Sequence, residues 1–85
     1  MYDPKLIVRL KKSEGQLRGI QKMIEDNREC TDIISQLTAV RSSVDRVAEM
    51  IISEYLRDCL ENPLEDPLKQ RQRIEKAVQY LLKKI

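Results

Sequence analysis

No glycine and no proline occurs between Cys30 and Asn62. Ile33, Leu37, Val40, Val44, Val47 and Ile51 recur through that stretch at alternating spacings of four and three. A run this long, unbroken and periodic reads as one long helix. The rest of the chain is arranged around it. Upstream, Asp3-Pro4 is a helix start, with Asp as N-cap and Pro in the first helical position. Leu6, Leu10, Ser13, Leu17, Ile20 and Ile24 then follow the same heptad-like spacing. The segment EDNRE (25–29) interrupts it, with Asn27 expected to cap the long helix. Downstream, ENPLEDP (61–67) is a break, and Asp66-Pro67 repeats the first start signal. Leu68, Ile74, Val78, Leu81 and Ile85 predict a third, amphipathic helix. The expectation is a single all-α domain over residues 1–85, with helices at about 4–26, 28–61 and 67–84.

A chain of 85 residues without Phe or Trp buries a thin core. Two heptad stripes in so short a chain want a partner, because a hairpin of the first two helices leaves much of its seam uncovered. Two hairpins can close into an antiparallel four-helix bundle, so a dimer at minimum is expected. There is no apolar run of 18 residues and no signal-peptide core in MYDPKLIVRLKK, which predicts a cytosolic protein with no membrane partner.

Formal charge is only +2, but it is segregated. Residues 1–22 hold Lys5, Arg9, Lys11, Lys12, Arg18 and Lys22 against Asp3 and Glu14. Residues 29–66 hold nine acids against three bases, and residues 67–85 are basic again. Segregation of this kind permits a basic face for nucleic acid, with Lys12, Arg18 and Lys22 as candidates. The plainer reading is a set of solvated helix faces with i,i+4 ion pairs.

The two cysteines, Cys30 and Cys59, open and close the long helix. Twenty-nine residues at 1.5 Å each separate them by about 43 Å, whereas a disulfide needs Cα atoms about 6 Å apart. They cannot meet within one continuous helix. In an antiparallel dimer, Cys30 of one protomer can lie beside the partner's Cys59, twice per dimer. Cys30 falls in the first helical turn, where N–H groups and the helix dipole favour an anion, with Arg28 nearby and Glu29 and Asp32 opposing. Cys59 has no such setting, and the pair has the asymmetry of an attacking and a resolving thiol. Two small apolar core residues is the bland alternative. Tyr55 lies one turn before Cys59 on the same face, a poor ligand for soft metals and an ordinary packing residue.

The run from Arg9 to Cys59 resembles the CsoR/RcnR family of bacterial transcriptional repressors. The segment KKSEGQLRGIQKM in the first helix carries the likeness, with the Cys that opens the second helix and the L-x-x-C that closes it. The resemblance implies an all-α protomer, a four-helix-bundle dimer, usually a tetramer of two dimers, and operator double-stranded DNA binding without a helix-turn-helix. It places DNA contacts at Arg9 and Arg46. Copper-sensing members hold Cu(I) with a Cys from one protomer and a His and Cys from the other. Those positions are Cys30, Tyr55 and Cys59 here, so the His is replaced. The resemblance also implies two groups behind the copper ligands: a Tyr whose position is Glu29 here, a departure, and a Glu that is retained as Glu75. The chain has no His, which speaks against a nickel or cobalt sensor, and Tyr2 speaks against a formaldehyde sensor. The branch that keeps both cysteines and lacks the His is the persulfide-sensing, CstR-like one.

The resulting expectation is a non-enzymatic repressor with no resident cofactor. A sulfane-sulfur donor loads Cys30, and the partner's Cys59 closes a di-, tri- or tetrasulfide bridge that loosens DNA binding. The alternative is a Cu(I) sensor using the same two thiolates, which softness favours. A helical scaffold with no DNA role is the reading from outside this class.

Overall fold

The computed structural model describes residues 2–83. It contains α1 (Lys5–Glu25), α2 (Cys30–Glu61) and α3 (Pro67–Lys83), and no strand among the described residues. The sequence expectation is helices at about 4–26, 28–61 and 67–84; α2 begins at Cys30. Lys84, the expected end of the third helix, and Ile85 lie outside the described residues.

Both Asp-Pro signals mark helix starts: Pro67 is the first residue of α3, as expected, whereas at α1 Pro4 is the cap and Lys5 the first helical residue. The Asp3 carboxylate accepts the Lys5 N–H at 2.9 Å, and the Asp66 carboxylate accepts the Leu68 N–H at the same distance. Each satisfies one of the N–H groups that a helix start leaves unpaired. Asn27 does not cap α2. It sits at φ 54°, the left-handed conformation that ends a helix. Its N–H bonds to the Ile24 carbonyl, and the Arg28 N–H bonds to Met23, which closes α1 with a Schellman motif. Asparagine suits either role, because it tolerates positive φ as readily as it caps. With Asn27 and Arg28 committed to α1, the start of α2 falls to Glu29. Its carbonyl accepts from Asp32 and Ile33, making Cys30 the first helical residue.

The described chain forms two units. Residues 3–47 are a hairpin of α1 and the first half of α2. Leu6, Ser13 and Ile20 are buried on α1, and Val40 and Val47 on α2, each seven residues from the next. Leu10, Leu17 and Ile24 on α1, and Leu37 and Val44 on α2, are exposed with the same spacing. Each heptad stripe is therefore split: one position packs within the hairpin and the other faces outward. The one buried polar residue among those described, Ser13, bonds Oγ to Oγ with Ser43 at 3.2 Å, which pins the register of the two helices.

The second unit comprises Tyr2 and residues 48–83, the end of α2 with α3. Its buried residues are Cys59 and Ala77. The inward row of α3 is Gln70, Ile74, Ala77 and Leu81, whereas Leu68 and Val78, both expected in the apolar stripe, are exposed. Polar contacts supply what this thin core lacks. Gln70 donates to the Cys59 carbonyl at 2.7 Å and accepts from the Leu64 N–H at 2.9 Å.

Candidate functional site: two thiols and a basic cleft

Because α2 is one helix from Cys30 to Glu61, its two thiols stand at its opposite ends. Both are free; Cys30 is exposed and Cys59 fully buried. Cys30 is thus open to reagents at the start of a 32-residue helix. Among the described residues no group of three or more His, Cys, Asp or Glu side chains converges within a protomer to hold a metal.

Around Cys59 the end of α2 is tied to α3. Arg73 bonds through Nη2 to Asp58 Oδ2 at 2.7 Å and through Nη1 to the Asn62 carbonyl at 3.2 Å. Its guanidinium also lies 5.8 Å from the centre of the Tyr55 ring. Asn62 donates to the other Asp58 oxygen at 3.0 Å. The Arg73 and Asp58 side chains are only 18% and 33% exposed, so this charge-assisted bond is partly shielded from water. Tyr55 itself borders an apolar cleft of about 270 Å³ with Ile51, Ile52, Lys76, Ala77 and Tyr80.

Of the other residues expected near the thiols, Glu29 is exposed beside Cys30 and supplies its carbonyl to start α2. Glu75 is exposed and ion-paired with Arg71 at 3.0 Å. The side chains that α3 does bring to the neighbourhood of Cys59 are Gln70 and Arg73, which sequence reasoning missed. A signal for Gln70 was present: with Ile74, Ala77 and Leu81 it completes a 4-3-4 spacing, a polar residue in an inward row.

The basic candidates divide. Arg9 and Lys12 line one concavity of about 390 Å³ with Lys5, Val8 and Ser43. Lys5, Arg9 and Lys12 are spaced four and three apart and share a face of α1. Arg18 lies roughly 120° round the helix from Lys12 and pairs with Glu14 at 3.5 Å. Lys22, in the last turn of α1, is on the Arg18 side. Arg46 is exposed on α2 and engaged in an interaction. Lys5 joins the cleft through its place in the i,i+4 row.

The model of the metal-sensitive transcriptional repressor family matches residues 2–83, and the chain belongs to that family. It is similar to the copper-sensing transcriptional repressor CsoR of Bacillus subtilis, 42% identical over 52 residues, covering 61% of this chain and 52% of that protein. It is similar at the same identity and length to the copper-sensing transcriptional repressor RicR of Mycobacterium tuberculosis, covering 54% of that protein. The chain spans about half the length of these relatives. Among solved structures it is similar to the nickel-responsive transcriptional regulator InrS, with a TM-score of 0.77, 28% identity, and coverage of 100% of this chain and 94% of that one. These relatives are regulators of transcription rather than enzymes. No helix among the described residues is long and apolar enough to cross a membrane.

Proposed function

We propose that the protein is a DNA-binding transcriptional repressor whose inducer is a thiophilic agent captured by Cys30 of one subunit and Cys59 of its partner. The observation that carries the proposal is the placement of two free thiols at opposite ends of one continuous helix in a chain of this family. Twenty-nine residues of helix rise by about 43 Å, so the reading joins Cys30 of one subunit to Cys59 of its partner, which an antiparallel pairing of α2 helices would do twice per dimer. The outward rows Leu10, Leu17 and Ile24, and Leu37 and Val44, supply the apolar surface for that pairing, as a homodimer or a tetramer of two dimers. Double-stranded operator DNA is bound through Lys5, Arg9, Lys12 and Arg46, mainly by phosphate contacts.

The names of the relatives support Cu(I) as the inducer. The donor set fits it in a near-linear, two-thiolate form: thiolates are soft ligands, and Tyr55 adds no soft third donor. The second reading, sulfane sulfur, is favoured by Tyr55 itself. A site built for three-coordinate copper has no use for a phenol held under an arginine. In that reading the donor passes one sulfur atom to the Cys30 thiolate and leaves as a thiol. The Cys59 thiolate then attacks the inner sulfur of the Cys30 persulfide and hydrosulfide leaves, so the donor is reduced and the two cysteines are oxidised to a bridge. One assay tests the proposal: release of bound duplex DNA on adding Cu(I) or polysulfide, with Cys30→Ala and Cys59→Ala as controls. Release by either agent that needs both thiols supports the repressor reading and identifies the inducer. Release by neither, or release that survives loss of a thiol, defeats it.

A further inference from the structure

Cys59 is completely buried within a single protomer. A partner subunit can add cover but cannot remove it, so some part of this chain must move before any reagent meets the Cys59 sulfur. The apolar hold of α3 is slight. Ala77 is its one buried residue among those described, Ile74 and Leu81 are half-buried, and Leu68, Val78 and Leu82 are exposed. The polar contacts, by contrast, are concentrated at its first two turns. Gln70 holds the Cys59 carbonyl and the Leu64 N–H, while Arg73 holds the Asp58 carboxylate and the Asn62 carbonyl and lies against Tyr55.

We propose that Gln70 and Arg73 form a latch that keeps α3 closed over Cys59, so that the two thiols become available in order: Cys30 at once, Cys59 only after the latch opens. The latch then sets the threshold of the response. An inducer that needs Cys59 must first populate the opened form, and its apparent affinity falls by the fraction of molecules that are open. Arg73 is a positioning residue in this scheme, acting on Cys59 through Asp58, Asn62 and Tyr55. The consequence for the threshold rests on the reading of Cys30 and Cys59 as the inducer site; the latch itself does not.

The test is pulsed alkylation of the reduced full-length protein with iodoacetamide, with each cysteine followed by peptide mass spectrometry. Carbon–sulfur bond formation expels iodide and needs only an accessible thiolate. Cys59 is expected to lag Cys30 by at least roughly tenfold, the cost of local opening. Arg73→Ala and Gln70→Ala each speed Cys59 by roughly tenfold, the loss of one strong hydrogen bond, and leave Cys30 unchanged. Asp58→Asn, which keeps the shape and removes the charge, reproduces the effect of Arg73→Ala, and Arg73→Lys restores part of the protection. Arg71→Ala, on the same helix in an exposed pair, leaves Cys59 as slow as before. Equal rates for the two thiols in the unaltered protein would overturn the latch. So would Cys59 rates that ignore Arg73→Ala and Gln70→Ala, or that respond equally to Arg71→Ala. Far-UV helicity separates opening from unfolding, because unfolding lowers it and latch opening leaves α2 intact. In the DNA-release assay, Arg73→Ala lowers the inducer concentration for half-release by roughly tenfold. An unchanged concentration alongside faster Cys59 alkylation would leave the latch standing and remove its tie to the inducer.

Discussion

The hairpin over residues 3–47 and the unit of Tyr2 with residues 48–83 solve the same problem, a short chain with little to bury, by opposite means. The hairpin is held by apolar residues at a strict interval of seven, with one part-buried hydroxyl pair, Ser13 and Ser43. It leaves a second apolar row facing outward, and it carries the exposed thiol and the basic cleft. The other unit buries only Cys59 and Ala77 and is fastened by polar side chains from α3. The difference teaches where change is cheap. Apolar packing is insensitive to chemistry at a thiol, whereas a few hydrogen bonds around a buried sulfur are within reach of what a single ligand can disrupt. In the proposed reading the hairpin holds DNA and a second copy, and the other unit responds.

The comparison breaks most visibly at the thiols. Cys30→Ala and Cys59→Ala are each expected to abolish inducer-driven DNA release, while the uninduced protein still binds duplex DNA in an anisotropy titration. Next come the two heptad rows. Ile20→Ala, in the inward row, should cost about 2–5 kcal/mol in urea unfolding, because it leaves a cavity in a core with few members. Leu17→Glu, in the outward row, should instead lower the association state seen by sedimentation, since it places a charge where a second copy would pack. If Leu17→Glu leaves the assembly intact, the outward row is not the subunit interface. A smaller effect is expected at the basic cleft. Lys5→Ala, Arg9→Ala and Lys12→Ala should each weaken DNA binding across sequences and reduce the slope of log affinity against log salt by about 0.9. Arg18→Ala should do less, because Arg18 faces away from the cleft and is already paired with Glu14. Smallest is Arg71→Ala, within about 0.5 kcal/mol of the unaltered protein by thermal unfolding, as exposed pairs contribute little.

Much of the fold was legible because its signals are local. Asp3-Pro4 and Asp66-Pro67 each bring a carboxylate to a helix start, and the absence of breakers from Cys30 to Asn62 leaves no alternative to a long helix. Asn27 was misread because the same side chain suits the end of one helix and the start of the next, and only its φ decides. The heptad stripes showed which residues are apolar but not which row turns inward, since 4-3 spacing is satisfied equally by an internal neighbour and by a second chain. The candidate thiols were legible from their spacing and from family likeness. The polar ties of α3 to the end of α2 were not, because Gln70 and Arg73 are polar residues on a charged helix, and their bonds to Asp58, Cys59 and Asn62 span eleven to fifteen positions of sequence.

Mixing subunits tests most directly whether the inducer is read between chains. Protomers carrying Cys30→Ala are combined with protomers carrying Cys59→Ala, refolded together, and assayed for release of bound duplex DNA by Cu(I) and by polysulfide. The mixed dimer retains one complete pair, Cys30 from one subunit facing Cys59 from the other, and should recover DNA release that neither variant shows alone. Failure of the mixture to recover release, with both variants folded and bound to DNA, would contradict a site shared between subunits.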